Sequence, residues 1–163
     1  MDFANLSRVL WRERELLDLL LFKLHEQHLL LVAGDVEWLP RASAEVEAVL
    51  ERIGTAELER AMAFDATALS LGMAPAPSLS SLAAAAPEPW DFILEEHHSA
   101  FLVLAERIQT SADANRELTM AASRATEAVL ASLTGQDTTV AAYAATGLRD
   151  VDVRRPVLVD EEI

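Results

Sequence analysis

The residues best suited to chemistry are the four histidines and the acids beside them. His25 and His28 stand three apart, and Glu95 with His98 forms an E-x-x-H. Residues three apart share a helix face, so each pair could offer two ligands to one metal ion. Helical bundles hold di-iron centres with two E-x-x-H pairs plus a glutamate from each of two further helices. This chain has one E-x-x-H and one H-x-x-H, so the set is incomplete and the pairs read as solvated helix faces. His97 or His98 could carry a phosphoryl group if exposed beside a lysine- and glycine-bearing patch, but Glu95, Glu96, Ser99 and Ala100 supply none. The sequence contains no cysteine, which excludes thiol catalysis and thiolate zinc sites, and its five glycines form no G-x-G-x-x-G loop. No Ser/His/Asp spacing stands out. The expectation is a non-enzyme with no catalytic residue, no metal and no cofactor.

Charge narrows the partners. Lysine and arginine number 13 against 27 acids, a net charge of −14 over 163 residues. Such a surface repels phosphate backbones and anionic lipid, so no nucleic acid is expected. The most apolar stretch, Leu16 to Val32, is interrupted by Asp18, Lys23, His25, Glu26, Gln27 and His28. That predicts no membrane insertion. The first residues lack the basic start of a signal peptide, and the expected location is cytoplasmic.

The elements that must position these residues read as helices almost throughout. In the first, over about residues 3–33, Leu10, Leu17, Leu24 and Leu31 recur every seven residues. The companion row is Leu6, Glu13, Leu20 and Gln27, which makes a coiled-coil seam with two polar defects. Gly34 suits the C-cap, and Asp35 is placed to cap the next helical piece. A turn at Val36–Leu39 leads to a second helix over about residues 41–71, with Pro40 near its start and Gly54 inside it as a candidate kink. After Gly72 a proline-rich loop precedes a short helix over residues 79–86, with Ser78 as its cap. A long helix over residues 89–133 comes next, with a weak point at Ser111–Asn115. The fold class is all-α: an antiparallel helical bundle or coiled coil of three long helices, with a short extra helix in the second connection. Residues 1–147 form one helical domain, and residues 148–163 a disordered tail.

The last long helix changes character along its length. Its seam rows read Leu94, Phe101, Ile108, Asn115, Ala122, Val129 and His97, Leu104, Ser111, Leu118, Ala125, Ser132. Both are bulky before Ile108 and small or polar after it. Residues 112–145 contain eleven alanines, so the second half forms helix readily but has little side chain to bury. Either it packs closely on a neighbour through alanine, or it presents an adaptable face to a partner's amphipathic helix. Met120, flexible and polarisable, suits the second reading.

The order of these features resembles the flagellar export chaperones of the FlgN family. The leucine-rich helix runs into Ala33-Gly34-Asp35-Val36-Glu37-Trp38-Leu39, similar to the family's turn between its first two helices. Leu71-Gly72-Met73 and the stretch from Pro77-Ser78-Leu79 through Ala86-Pro87-Glu88-Pro89-Trp90 look like the alanine–proline connector of members from high-GC bacteria. Asn115-Arg116-Glu117-Leu118, with Val129 and Leu133 beyond, is similar to the family's Asn-Arg-x-Leu, and Tyr143 is followed by Gly147. The resemblance spans about residues 5–147. Pro40 and Gly54 depart from it, and His97-His98 has no counterpart in it.

The resemblance implies a cytoplasmic chaperone without catalytic activity. Its clients would be flagellar hook-associated proteins, those of the hook–filament junction, held by their C-terminal helical segments. Delivery would be to the cytoplasmic domain of the flagellar type III export gate. Client contact falls on Asn115, Leu118, Met120, Ala122, Ala125, Val129 and Leu133, and gate docking on Tyr143. A monomer or weak homodimer is expected. The alternative is a structural coiled-coil adaptor that self-assembles through the first helix.

Overall fold

The leucine rows of the first helix decide what is buried. In the computed structural model, which describes residues 3–133, that helix is α1, Phe3–Ala33. It is followed by α2, Leu39–Ser70, α3, Leu79–Ala85, and α4, Trp90–Leu133. Every element among the described residues is helical. Along α1 the buried positions are Phe3, Leu6, Val9, Leu10, Glu13, Leu16, Leu20 and Leu24. These positions, nearly all three or four apart, make one continuous stripe.

Side-chain pairs fix the direction of each helix. Arg60 reaches Glu13, Arg12 reaches Glu59, and Lys23 reaches Glu45. Partners descend along α2 as they ascend along α1, so the two helices run side by side in opposite directions. The α4 partners of α1 lie 83 to 91 residues further on: Ser7 with His97, Arg14 with His97, Leu24 and His28 with Asn115. These separations are nearly constant, so α4 runs alongside α1 in the same direction.

Two apolar clusters hold this arrangement. One joins Phe3, Leu6 and Leu10 of α1 to Ala68 of α2, Leu82 and Ala83 of α3, and Leu94 of α4. Short α3 is held here by Leu82, which is fully buried. Phe3 stacks on Trp90 with ring centroids 5.7 Å apart. The second cluster packs Leu16, Leu20 and Leu24 against Val46, Val49, Ile53 and Ala56, with Ile108 and Ala112 of α4 against it. Each leucine so buried contributes about 1.5–3 kcal/mol.

The helix ends obey local chemistry. Gly34 has φ +66° and Gly72 φ +69°. In each case the glycine N–H donates to the carbonyl three residues back, and the next N–H to the carbonyl five back. Both are Schellman endings, which need the left-handed residue that glycine supplies without strain. Ser78 caps α3, its Oγ accepting the Ser81 N–H at 3.0 Å. The start of α2 differs from the sequence expectation. Its N-cap is Trp38, with no side-chain cap, and Pro40 sits in the first turn. Asp35 belongs instead to the α1 ending, its N–H bonded to the Leu30 carbonyl. A proline in the first turn lacks only a donor that has no intrahelical partner there, so α2 begins ahead of it. α2 runs unbroken through Gly54, and α4 through Ser111–Asn115.

By its contacts the chain divides into two compact units, residues 1–122 and 123–163. The described part of the second is the end of α4. Thr138–Ala145, Tyr143, Gly147 and the tail 148–163 lie outside the described residues.

Candidate functional site

The two polar defects of the α1 seam each meet a partner. Glu13, 2% exposed, accepts a hydrogen bond from Arg60 at 2.7 Å through Oε1, while its Oε2 has no hydrogen-bond partner among the described residues. Burial pushes its pKa up, against the pull of Arg60, and nearby Glu57 adds to the rise. A buried ion pair contributes little net stability, whereas removing one partner leaves a buried charge unpaired and is strongly destabilising. Gln27, the second defect, donates to Ser43 Oγ at 2.9 Å and accepts from Asn115 at 3.0 Å.

Asn115 is the densest polar junction between α4 and α1. It is 4% exposed. Its Nδ2 donates to the Leu24 carbonyl at 2.8 Å and to Gln27 Oε1, and its Oδ1 accepts from His28 Nδ1 at 2.9 Å. Among the expected client-contact residues it is therefore the one turned inward, and its amide ties α4 to the last turns of α1.

The histidines separate by environment. His97 is 1% exposed and lies edge-on to Trp11, ring centroids 5.2 Å apart. Arg14 can only donate, so His97 Nδ1 accepts from it at 3.3 Å and Nε2–H donates to Ser7 Oγ at 3.3 Å. Burial holds the His97 pKa below its usual value, the Arg14 charge adds to this, and Glu96 opposes. A buried, neutral His97 does not meet the exposure that phosphoryl transfer requires. The Glu95 and His98 side chains are 59% and 32% exposed, 3.6 Å apart. His28 is committed to Asn115. Among the described residues no three His, Cys, Asp or Glu side chains are grouped to hold a metal ion, and no helix is long and apolar enough to cross a membrane.

The second half of α4 holds most of the residues expected to contact a client. Leu118, Ala122, Ala125, Val129 and Leu133 fall at steps of three and four, the row that also holds Asn115. Leu118 is half-buried, and every residue from Ala121 to Leu133 is exposed. Val129 and Leu133 are 57% and 77% exposed. Met120 is exposed too, but two residues from Leu118 it stands on the other side of the helix. The pairing of α1 with α4 explains where the bulky seam ends. With partners 83 to 91 residues apart, α1 stops at a level close to Ala121. The Tyr143 expectation lies outside the described residues.

Two features were not singled out from sequence: the Glu13–Arg60 pair and an arginine-lined groove between α1 and α2. Both join residues of separate helices, 47 positions apart in Glu13–Arg60 and in Arg12–Glu59, and a heptad row within one helix does not reveal them. Comparison with known proteins gives one description. A family model described as FlgN protein matches residues 1–149. No curated protein and no solved structure matches the chain.

Proposed function

The chain belongs to the FlgN family, a family of flagellar export chaperones, and on that premise we propose that it holds the C-terminal helical segments of hook–filament junction proteins. The proposed frame is an antiparallel bundle of three long helices, with α3 in the second connection. The observation that carries the proposal is the exposed row Ala122, Ala125, Val129 and Leu133, which continues the seam row of α4. An amphipathic client helix has a complementary stripe. Laying one on the other removes both from water, and the small alanines let the backbones approach closely. Leu118 marks the inner end of the surface. Asn115 serves it by fixing α4 on α1 and is not itself a contact.

The chemistry asked of the chaperone is binding alone, in the cytoplasm, with no catalysis or cofactor. Its acidic remainder keeps a protein with an apolar stripe dissolved. Tyr143 is proposed as the element read by the cytoplasmic domain of the export gate. The protomer acts as a monomer or weak homodimer.

Calorimetry with the C-terminal segment of a junction protein tests this. Burying Val129 and Leu133 is worth roughly 1.5–3 kcal/mol each. Val129→Asp with Leu133→Asp in the full chain should therefore weaken binding by about 100-fold or more. Unchanged binding would place the client elsewhere. Self-association abolished by changes on the exposed side of α1, with no client binding, would favour the coiled-coil adaptor.

A further inference from the structure

The −14 chain turns locally basic along one surface. On the outer side of the α1–α2 pair, two adjoining hollows share Arg12 and form one groove from Asn5 and Ala66 to Leu19 and Arg52. Its floor is apolar, built by Val9, Leu16 and Ala63, and Met62 stands on its rim at 68% exposure. Three arginines line it, Arg8, Arg12 and Arg52, against Glu15 and Glu59. Glu59 is already tied to Arg12 at 3.1 Å. Arg8 bonds the neutral Asn5 side chain, at 2.6 Å. Neither Arg8 nor Arg52 has a carboxylate at ion-pair distance among the described residues.

The other hollows lack this combination. In the hollow beside Trp38, Arg41 is paired with Glu45, which also takes Lys23. The one between α1 and α4 is lined by a single arginine, Arg107, together with Glu106. The groove also points away from α4. The α1 row that meets α4 runs through Ser7, Arg14 and His28. The groove row Asn5, Arg12 and Leu19 is set two residues back, about 200° round the helix. An occupant there faces away from the α1–α4 contact.

We propose that this α1–α2 groove is a second docking surface, and that it takes an acidic amphipathic helix of a partner protein. From Asn5 to Leu19 the groove follows α1 for about 21 Å, the length of four helical turns. Leucines of the partner would lie on the apolar floor beside Met62. Its flanking glutamates would meet Arg8 and Arg52, the two groove arginines with no carboxylate at ion-pair distance among the described residues. Because the surface is separate from α4, the reading stands or falls independently of client binding there.

The test uses the full chain and two labelled synthetic helices of about 15 residues. Both carry leucine at helical spacing; one has glutamate at the flanking positions and the other lysine. Fluorescence anisotropy should show binding of the glutamate helix, weakening as salt rises from ~50 to ~500 mM, and much weaker binding of the lysine helix. Arg8→Glu with Arg52→Glu should reduce binding of the glutamate helix by about tenfold or more, and Met62→Glu should reduce it too. Circular dichroism confirms that these exposed changes leave the helices formed. Val129→Asp with Leu133→Asp should leave this binding intact. Equal binding of both helices, binding insensitive to the arginine reversals, or binding lost with the α4 changes would overturn the proposal. So would a dimer in sedimentation that the arginine reversals dissolve, which would make a second copy the occupant.

Discussion

Replacing Asn115 with alanine separates a residue that holds the scaffold from one that touches a client. The side chain makes three hydrogen bonds to α1, at 2.8, 2.9 and 3.0 Å, and is 4% exposed. A neutral bond contributes about 0.5–1.5 kcal/mol net. His28 and Gln27 are half-buried, so water recovers part of their loss, and the Leu24 carbonyl lies within helical α1. The expected cost of Asn115→Ala is therefore roughly 2–3 kcal/mol, in the lower half of the summed range. For a protein of this size that lowers Tm by about 4–12 °C. Urea unfolding followed by circular dichroism reads it, with Arg116→Ala as control. Arg116 is exposed and its ion pair with Asp113 is 3.4 Å long, so its loss should cost under about 0.5 kcal/mol. If Asn115→Ala unfolds like the parent yet loses client affinity, the residue is a contact and its assignment to the scaffold is wrong.

His97→Gln should flatten the acid side of the stability profile. The folded protein resists protonating His97, while the unfolded chain takes the proton near pH 6.5. The stabilisation is complete above that pH and is lost as pH falls from there through the lower folded value. The difference between parent and variant in urea midpoint should shrink over that window; a constant difference would refute a neutral buried imidazole. Glu13 has the opposite sign. Its folded pKa is raised, so acidification through that value towards 4.5 relieves the buried charge and favours the folded state. Glu13→Gln should abolish that gain, and an unchanged acid limb would mean the carboxylate is solvated. Tyr143→Ala should spare client affinity and weaken binding to the cytoplasmic domain of the export gate, both by calorimetry; loss of both would mean Tyr143 supports the client surface.

Much of the scaffold was legible because burial in helices follows short-range spacing. The rows Leu10–Leu24 and Leu6–Leu20 are buried or half-buried as their period requires, and even Glu13 obeys its row. The identity of each polar partner was not legible. Glu13 meets Arg60 across 47 residues and Gln27 meets Asn115 across 88, and no local pattern encodes which turn of α2 or α4 will face them. His97 carried a signal that chemistry obscured. It heads the row His97, Leu104, Ser111, Leu118, and that row predicts burial rather than an exposed reactive ring. Asn115 carried the same signal through Leu94, Phe101 and Ile108. The piece that Asp35 was expected to cap is a turn over residues 36–38, and Asp35 itself closes the Schellman ending of α1 through its N–H. The change along α4 was legible as alanine, and every residue from Ala121 to Leu133 is exposed.

Hydrogen–deuterium exchange of the full chain, with and without a junction protein's C-terminal segment, tests the central claim most directly. Client binding on the α4 row should slow exchange from Leu118 to Leu133 and leave the α1–α2 pair unchanged. Protection appearing along Asn5–Leu19 and Arg52–Ala66 instead, with α4 unaffected, would contradict it.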